Sequence, residues 1–222
     1  MIKELPYDKF KRLGADSLTE AELLAVILRT GTRQTPVCEL AEKILELTSF
    51  QKKGLNGIHN VTVNELMAIN GIGEVKAIKI KCIAELSSRM ARMRAEETLS
   101  FQNPESVARY YMEALRHEEK EKILLVLLDN KLRIIEEYVL SIGTINASLL
   151  SPRDVFIRAF KTGAVSFVLL HNHPSGIPNP SKQDIAITKR LNEIGKMIDI
   201  PLVDHIIIGD NRYISLKEAD LL

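Results

Sequence analysis

The sequence predicts an α+β protein: an all-α first region, residues 1–97, then an α/β domain, residues 98–222. Three observations carry this reading. Up to about residue 94 the apolar residues recur with helical period. From residue 123 they gather into short continuous runs of strand length, separated by amphipathic stretches of helical length. Between the two patterns lies the polar run RMRAEETLSFQNP, 92–104, which reads as a linker.

In the first region, Ser17 followed by Glu20 reads as a capping box ahead of AELLAVIL, and Gly31 suits that helix's end. Thr35-Pro36 opens a second helix with proline at its first position. Val37, Leu40, Ala41, Ile44 and Leu45 repeat along it. Thr62 and Glu65 form another capping box, for a short helix through Ala68. Gly71-Ile72-Gly73 breaks the chain. A long helix follows from about Glu74 to Arg94, with Val75, Ile78, Cys82, Ile83 and Leu86 on one apolar stripe.

In the second region, Asn103-Pro104 opens an amphipathic helix to about Leu115. ILLVLLD, 123–129, reads as a buried strand, Asp129-Asn130 as a turn, and Leu132 to Ile142 as a second strand. Ser151-Pro152 starts a helix that stops near Gly163. Val165 to His171 is an apolar strand, and a Pro/Gly loop spans 174–180. Ser181 caps a helix to about Met197. Val203 to Ile208 and Arg212 to Ser215 complete the strands.

Composition excludes several classes. The chain has 222 residues, 45% hydrophobic and 27% charged, which is ordinary for a globular protein and excludes global disorder or a fibrous repeat. A chain of this length buries roughly 70% of its unfolded surface and needs no disulfide framework. Trp is absent and aromatics make up 5%, so the core must be aliphatic. The two cysteines, Cys38 and Cys82, form no Cys-x-x-Cys pair. A cysteine zinc site is excluded, and a reducing cytoplasmic setting is expected. MIKELPYDKFKRLG lacks the apolar stretch of a signal peptide, and no apolar run approaches ~20 residues, so no membrane span is expected. Residues 1–100 carry 15 Lys+Arg against 13 Asp+Glu, and residues 101–222 carry 15 against 16. Neither half is a polycation, so nucleic acid would have to be held by a local patch.

One such patch is MAINGIGEVKAIKIK, 67–81. A Gly-x-Gly turn leads straight into a helix, whose free N–H groups and positive dipole end suit a phosphate, and Lys76, Lys79 and Lys81 follow. The pattern resembles the helix-hairpin-helix motif, which makes Gly71, Gly73 and Lys76 candidate DNA contacts. A connection that merely packs is the other reading, and Glu74 sets a negative charge beside the turn.

The main signal is LLHNHPSGIPNPSKQD, 169–184. His171 and His173 stand two apart at a strand end and so share a face, with Asn172 pointing away. The prolines stiffen the loop that delivers Ser181 and Asp184 to a helix start. Asp184, Thr188 and Leu191 lie on one helix face, so Asp184 can turn inward. Two imidazoles and a carboxylate are a zinc set with the fourth position open, as in catalytic sites. Ser181-x-x-Asp184 also reads as a capping box.

These residues match the JAMM motif of MPN-domain metalloproteases, His-x-His-x7-Ser-x2-Asp, without a gap. The stretches GTINASLLSPRDVF, HNHPSG, PSKQD, DHIIIG and YISLKE resemble the RadC family, which pairs a helix-hairpin-helix region with a JAMM domain in this order. The resemblance covers nearly the whole chain. It implies a cytidine-deaminase-like mixed sheet flanked by helices. It implies one zinc per chain on His171, His173 and Asp184, with Ser181 bonded to the water or oxyanion and an upstream glutamate as general base. It implies hydrolysis of a peptide or isopeptide bond in a substrate the sequence does not name. The alternative is a DNA-binding accessory factor in repair or recombination with a non-catalytic or nuclease-like JAMM domain. A zinc deaminase is excluded, because its His-x-Glu and Pro-Cys-x-x-Cys are missing.

The candidates for the glutamate are Glu136 and Glu137 in RIIEEYVLSIG. Strand alternation puts them on opposite faces. Glu137, sharing its face with Ile135 and Val139, is preferred, and both also read as solvated strand charges. His205, after Asp204 on a buried strand, reads as a partner that orients a ligand or as a satisfied core histidine. His59 and His117 read as surface residues. Arg153 reads either as a binder of a substrate carboxylate or as the partner of an acid.

Overall fold

Thr19, Thr62, Asn103 and Ser181 each start a helix by accepting one of its free amides on the side chain. The structure, a computed structural model, describes residues 4–47, 54–143 and 150–222, so residues 144–149 of GTINASLL lie outside the described residues. The chain divides into two units, Met1–Arg89 and Met90–Leu222, parting inside a helix a few residues before the expected division at 97/98.

The first unit is helical: α1 (Pro6–Leu13), α2 (Glu20–Leu28), α3 (Val37–Glu46), α4 (Val63–Met67) and the start of α5 (Glu74–Glu96). Thr19 and Glu22, not Ser17 and Glu20, form the capping box of α2. Ser17 Oγ instead donates to the Gly14 carbonyl. The box at Thr62 and Glu65 forms as expected. Leu24, Leu40, Ile44, Leu66 and Ile80 fill the core. The buried stripe of α5 differs from the expected one. Ala77, Ile80 and Ala84 face this core, while Val75 and Leu86 are 68% and 58% exposed. The two alanines give the helix a small-residue face, and that face packs in place of the bulkier one.

The second unit holds α6 (Pro104–Leu115), α7 (Pro152–Thr162) and α8 (Lys182–Met197). Its strands are β1 (Lys122–Leu128), β2 (Ile134–Ile142), β3 (Ser166–Asn172), β4 (Leu202–Ile208) and β5 (Tyr213–Ser215). They form one mixed sheet of order β2-β1-β3-β4-β5. β1 is antiparallel to β2 and β3, β3 is parallel to β4, and β5 is antiparallel to β4. β1 and β3 are buried on both faces, which explains their unbroken apolar runs. One face carries Leu124, Val126, Val168 and Leu170 and packs with residues of α6. The other carries Ile123, Leu125, Phe167 and Leu169 and packs with residues of α7 and α8. The expected linker is not extended chain. Its first residues continue α5 to Glu96, and Ala95 and Phe101 are buried in the first of these two cores.

Candidate metal centre

The registers fix where the histidines stand. Ile123 on β1 pairs with His171, and Leu125 with Leu169, so His171 continues the α8-facing row at the end of β3. On β4, His205 pairs with Leu169 and Ile207 with His171, which makes His205 and His171 diagonal neighbours on one face. β3 and β4 are parallel, and the site lies beyond their carboxyl ends, where open α/β sheets bind ligands.

The Pro-rich loop carries the chain from β3 to α8. The His173 amide donates to the Ile208 carbonyl at 2.9 Å, and the Asp210 amide to the Gly176 carbonyl at 2.9 Å. A Cβ at Gly209 would collide with that carbonyl, so this close approach requires glycine. The N-cap of α8 is a reciprocal box: Ser181 Oγ accepts from the Asp184 amide at 3.1 Å, and Asp184 Oδ2 accepts from the Ser181 amide at 2.7 Å. Capping and site placement are therefore one arrangement. The box holds the Asp184 carboxylate, 2% exposed, on the histidine side.

The structure brings together the three expected ligands. His171 Nε2 and His173 Nε2 are 3.0 Å apart. Asp184 Oδ1 is 3.5 Å from His171 Nε2, and Oδ2 is 3.7 Å from His173 Nε2. A tetrahedral ion with bonds of ~2.0–2.2 Å separates its ligand atoms by ~3.3–3.6 Å, so the spacing suits zinc. The donor set, two nitrogens and a carboxylate oxygen, suits it as well.

Electrostatics agree. Burial pushes His171 down to about 4, against the pull of Asp184. Burial also holds His205 well below its ordinary value. The Asp184 carboxylate holds His173 above its ordinary value, in spite of burial. Burial alone would raise Asp184, but the neighbouring His173, His171 and Ser181 hold it well below the usual carboxylate range. His171 and Asp184 therefore stand as a neutral imidazole and a carboxylate, the forms that ligate metal.

Glu137 is not brought to this site. It pairs with Val126, on the α6 face. There Tyr111 donates to its Oε1 at 2.6 Å, and Arg92 lies 3.4 Å away. Glu136 shares the histidine face but pairs with Leu127, four residues along β1 from the row of His171. That is on the order of 13 Å. It is instead held by Arg158 of α7.

The sequence reading missed Glu121. Glu121 lies just ahead of β1, two residues before Ile123, the partner of His171, and alternation carried back from the strand predicts it on the histidine face. Its charge contributes to holding His173 up. Asn172, buried between the two histidines, clamps this segment: Nδ2 donates to the carbonyls of Glu118 and Lys120, and Oδ1 accepts from the Lys122 amide at 2.8 Å. The available signal was alternation backwards from the buried strand 123–128.

The candidate DNA contacts lie in the first unit. Gly71 adopts φ +104, and a Cβ there would collide with Thr32. Nothing lies within 4 Å of a Cβ built at Gly73. Lys76 does not present its ammonium outward as the phosphate reading expects: Nζ donates to the Thr30 carbonyl at 2.6 Å and the Gly71 carbonyl at 3.0 Å. Lys81 likewise donates to the carbonyls of Ile58 and His59. Of the remaining residues, Arg153 is exposed, and His117 is half-buried with Nε2 3.1 Å from Glu113. Among the described residues no helix is long and apolar enough to cross a membrane.

Comparison with known proteins places these features. Residues 101–221 match the model of the RadC-like JAB domain, and residues 2–78 that of the UPF0758 N-terminal family. A UPF0758 protein of Desulforamulus reducens is 43% identical over 227 residues, covering 100% of this chain and 98% of its own. The UPF0758 protein YsxA of Bacillus subtilis is 42% identical over 221 residues, covering 100% and 94%. One of Clostridium tetani is 42% identical over 219 residues, covering 99% and 94%.

Proposed function

Because the chain belongs to the RadC-like JAB-domain family, we propose that it is a zinc-dependent metallohydrolase that cleaves a peptide or isopeptide bond in the cytoplasm. The observation that carries the reading is the convergence of His171 Nε2, His173 Nε2 and the Asp184 carboxylate at 3.0–3.7 Å.

Bound zinc supplies a water acidified to a pKa of about 7 and a Lewis acid for the scissile carbonyl. The protein's own groups divide the remaining work. His171, His173 and Asp184 would hold the ion. Glu121, on the histidine face, is the general base: its carboxylate takes up a proton and returns it to the leaving amine nitrogen. Ser181 Oγ already accepts the Asp184 amide, which leaves its hydroxyl proton to donate to the developing oxyanion. Asn172 holds the backbone on both sides of Glu121 and so sets the base against the ligands.

Elemental analysis tests the reading. The wild-type protein should carry about one zinc per chain, and the double variant His171→Ala, His173→Ala none. A library of peptides and isopeptide-linked conjugates should then be cleaved by the wild type, with loss on chelation and recovery with zinc. A wild type that takes up no zinc after incubation and dialysis refutes the proposal.

A further inference from the structure

Thr188 and His205 touch no expected ligand atom of the ion, yet both are buried against the site: Thr188 is fully buried and His205 is 1% exposed. Donor counting orders the protons between them. Thr188 Oγ1 lies 2.6 Å from the Asp184 carbonyl four residues back, and a carbonyl only accepts, so the hydroxyl proton goes there. The same oxygen is 2.5 Å from His205 Nδ1 and, having spent its proton, must accept from it. A neutral His205 with its proton on Nδ1 presents a lone pair at Nε2. That atom stands 2.8 Å from His171 Nδ1, which must therefore donate. The remaining His171 nitrogen, Nε2, is left as a bare lone pair 3.0 Å from His173 Nε2. His173 reaches the same condition separately, its Nδ1 donating to the Ile177 carbonyl at 2.9 Å.

We propose that Thr188 and His205 are positioning residues that form a buried relay, Asp184 carbonyl–Thr188–His205–His171, which locks His171 in the Nδ1–H tautomer and aims its Nε2 lone pair at the metal position. This rests on the metal-centre reading above. The relay starts on the backbone of one ligand and ends on the ring of another. The α8 turn that presents the Asp184 carboxylate also selects the tautomer of His171. Two lone pairs then face each other with a carboxylate beside them, an arrangement that favours a cation between them. Outer partners of this kind change metal affinity by about 10–100-fold.

The experiment uses the full chain labelled with 15N-histidine. Long-range 15N–1H NMR on the chelator-treated protein at pH 8 reads the tautomers, and competition against a chelating dye reads zinc affinity. The wild type should show His171 and His205 as Nδ1–H tautomers. Thr188→Val, which keeps the shape and removes the hydroxyl, should mix the tautomers of both rings and weaken zinc binding about 10–100-fold. Thr188→Ser should restore both readouts. A wild-type His171 that carries its proton on Nε2 overturns the relay whatever the variants do. So does a folded Thr188→Val protein with unchanged tautomers and affinity. A wild type that binds no zinc but shows these tautomers, disturbed by Thr188→Val, refutes the metallohydrolase reading and leaves the relay standing.

Discussion

At the scale of single residues, the site turns on which face of a strand a carboxylate occupies. The motif made His171, His173 and Asp184 legible, because alternation and helix period put them on converging faces. The base was not legible. Two adjacent glutamates in a strand draw attention, and periodicity separates their faces without saying which face meets the metal. The registers put Glu137 on the other face and Glu136 four residues from the row of His171, and Glu121 is the base proposed above. Glu121→Gln should therefore retain zinc and lose turnover by about 100-fold or more, in the range for a general base. Glu137→Gln should leave turnover intact and cost about 1–2 kcal/mol of stability through its bond to Tyr111. Zinc content, hydrolysis rate and urea denaturation of the two variants check this, and the opposite pattern returns the base to β2. The histidines also predict a pH dependence for the chelated protein. His171 has a folded value of about 4, below its ordinary 6.5. Between these values the unfolded chain binds a proton that the folded protein refuses, so stability rises with pH. The contribution is complete above about pH 6.5 and is lost as pH falls toward 4. His205 acts in the same direction. His173, held up by Asp184, opposes them, its contribution fading as pH rises through its folded value. Two buried rings thus act against one half-buried ring, and the stability of the chelated protein should fall between pH 7 and 5. Urea midpoints at the two pH values measure it, and a midpoint that rises on acidification contradicts it.

At the scale of elements, most of the second unit's helices and strands were readable, because its signals are local. Proline at the first turn of α6 and α7 and Ser181 ahead of α8 mark helix starts. Unbroken apolar runs mark strands covered on both faces. The first unit was read less well where two local signals competed. Ser17 and Thr19 both offer a capping oxygen, each with a glutamate three residues on; Thr19 forms the box, and Ser17 bonds the Gly14 carbonyl instead. On α5 the bulkier apolar stripe lost to Ala77, Ile80 and Ala84, an outcome that depends on what packs there and not on period. The hairpin before α5 has the glycines of a phosphate loop, yet its first lysine serves the fold. Lys76 bridges the carbonyls of Thr30 and Gly71 and ties the turn to the end of α2. Lys76→Met should thus destabilise the first unit by about 1–2 kcal/mol. Its effect on DNA affinity, measured by salt-dependent titration, should stay within about twofold. A folded and equally stable variant with DNA binding lowered tenfold restores Lys76 to the phosphate role.

At the scale of the whole molecule, the two units have separate cores. Leu24, Leu40, Ile44 and Leu66 form one, and the sheet carries two more on its faces. The three metal-ligand candidates all belong to the second unit, and so does the Thr188–His205 relay. A ligand that binds only the folded form stabilises the unit that holds its site by RT ln(1 + [L]/Kd), about 2.7 kcal/mol at 100 times Kd. Zinc should therefore raise the melting of the second unit and leave the first unchanged. Separate cores predict two transitions in calorimetry, of which one moves with metal and disappears from that response in Asp184→Asn. Tryptophan fluorescence cannot separate the units, since the chain has no tryptophan. Backbone-amide exchange can, because protection in β1, β3 and α8 should rise with zinc while protection in α2 and α3 stays constant. A single transition that shifts as one with zinc, with α2 and α3 gaining the same protection, would mean that the two cores unfold together and that metal binding is felt by the whole chain.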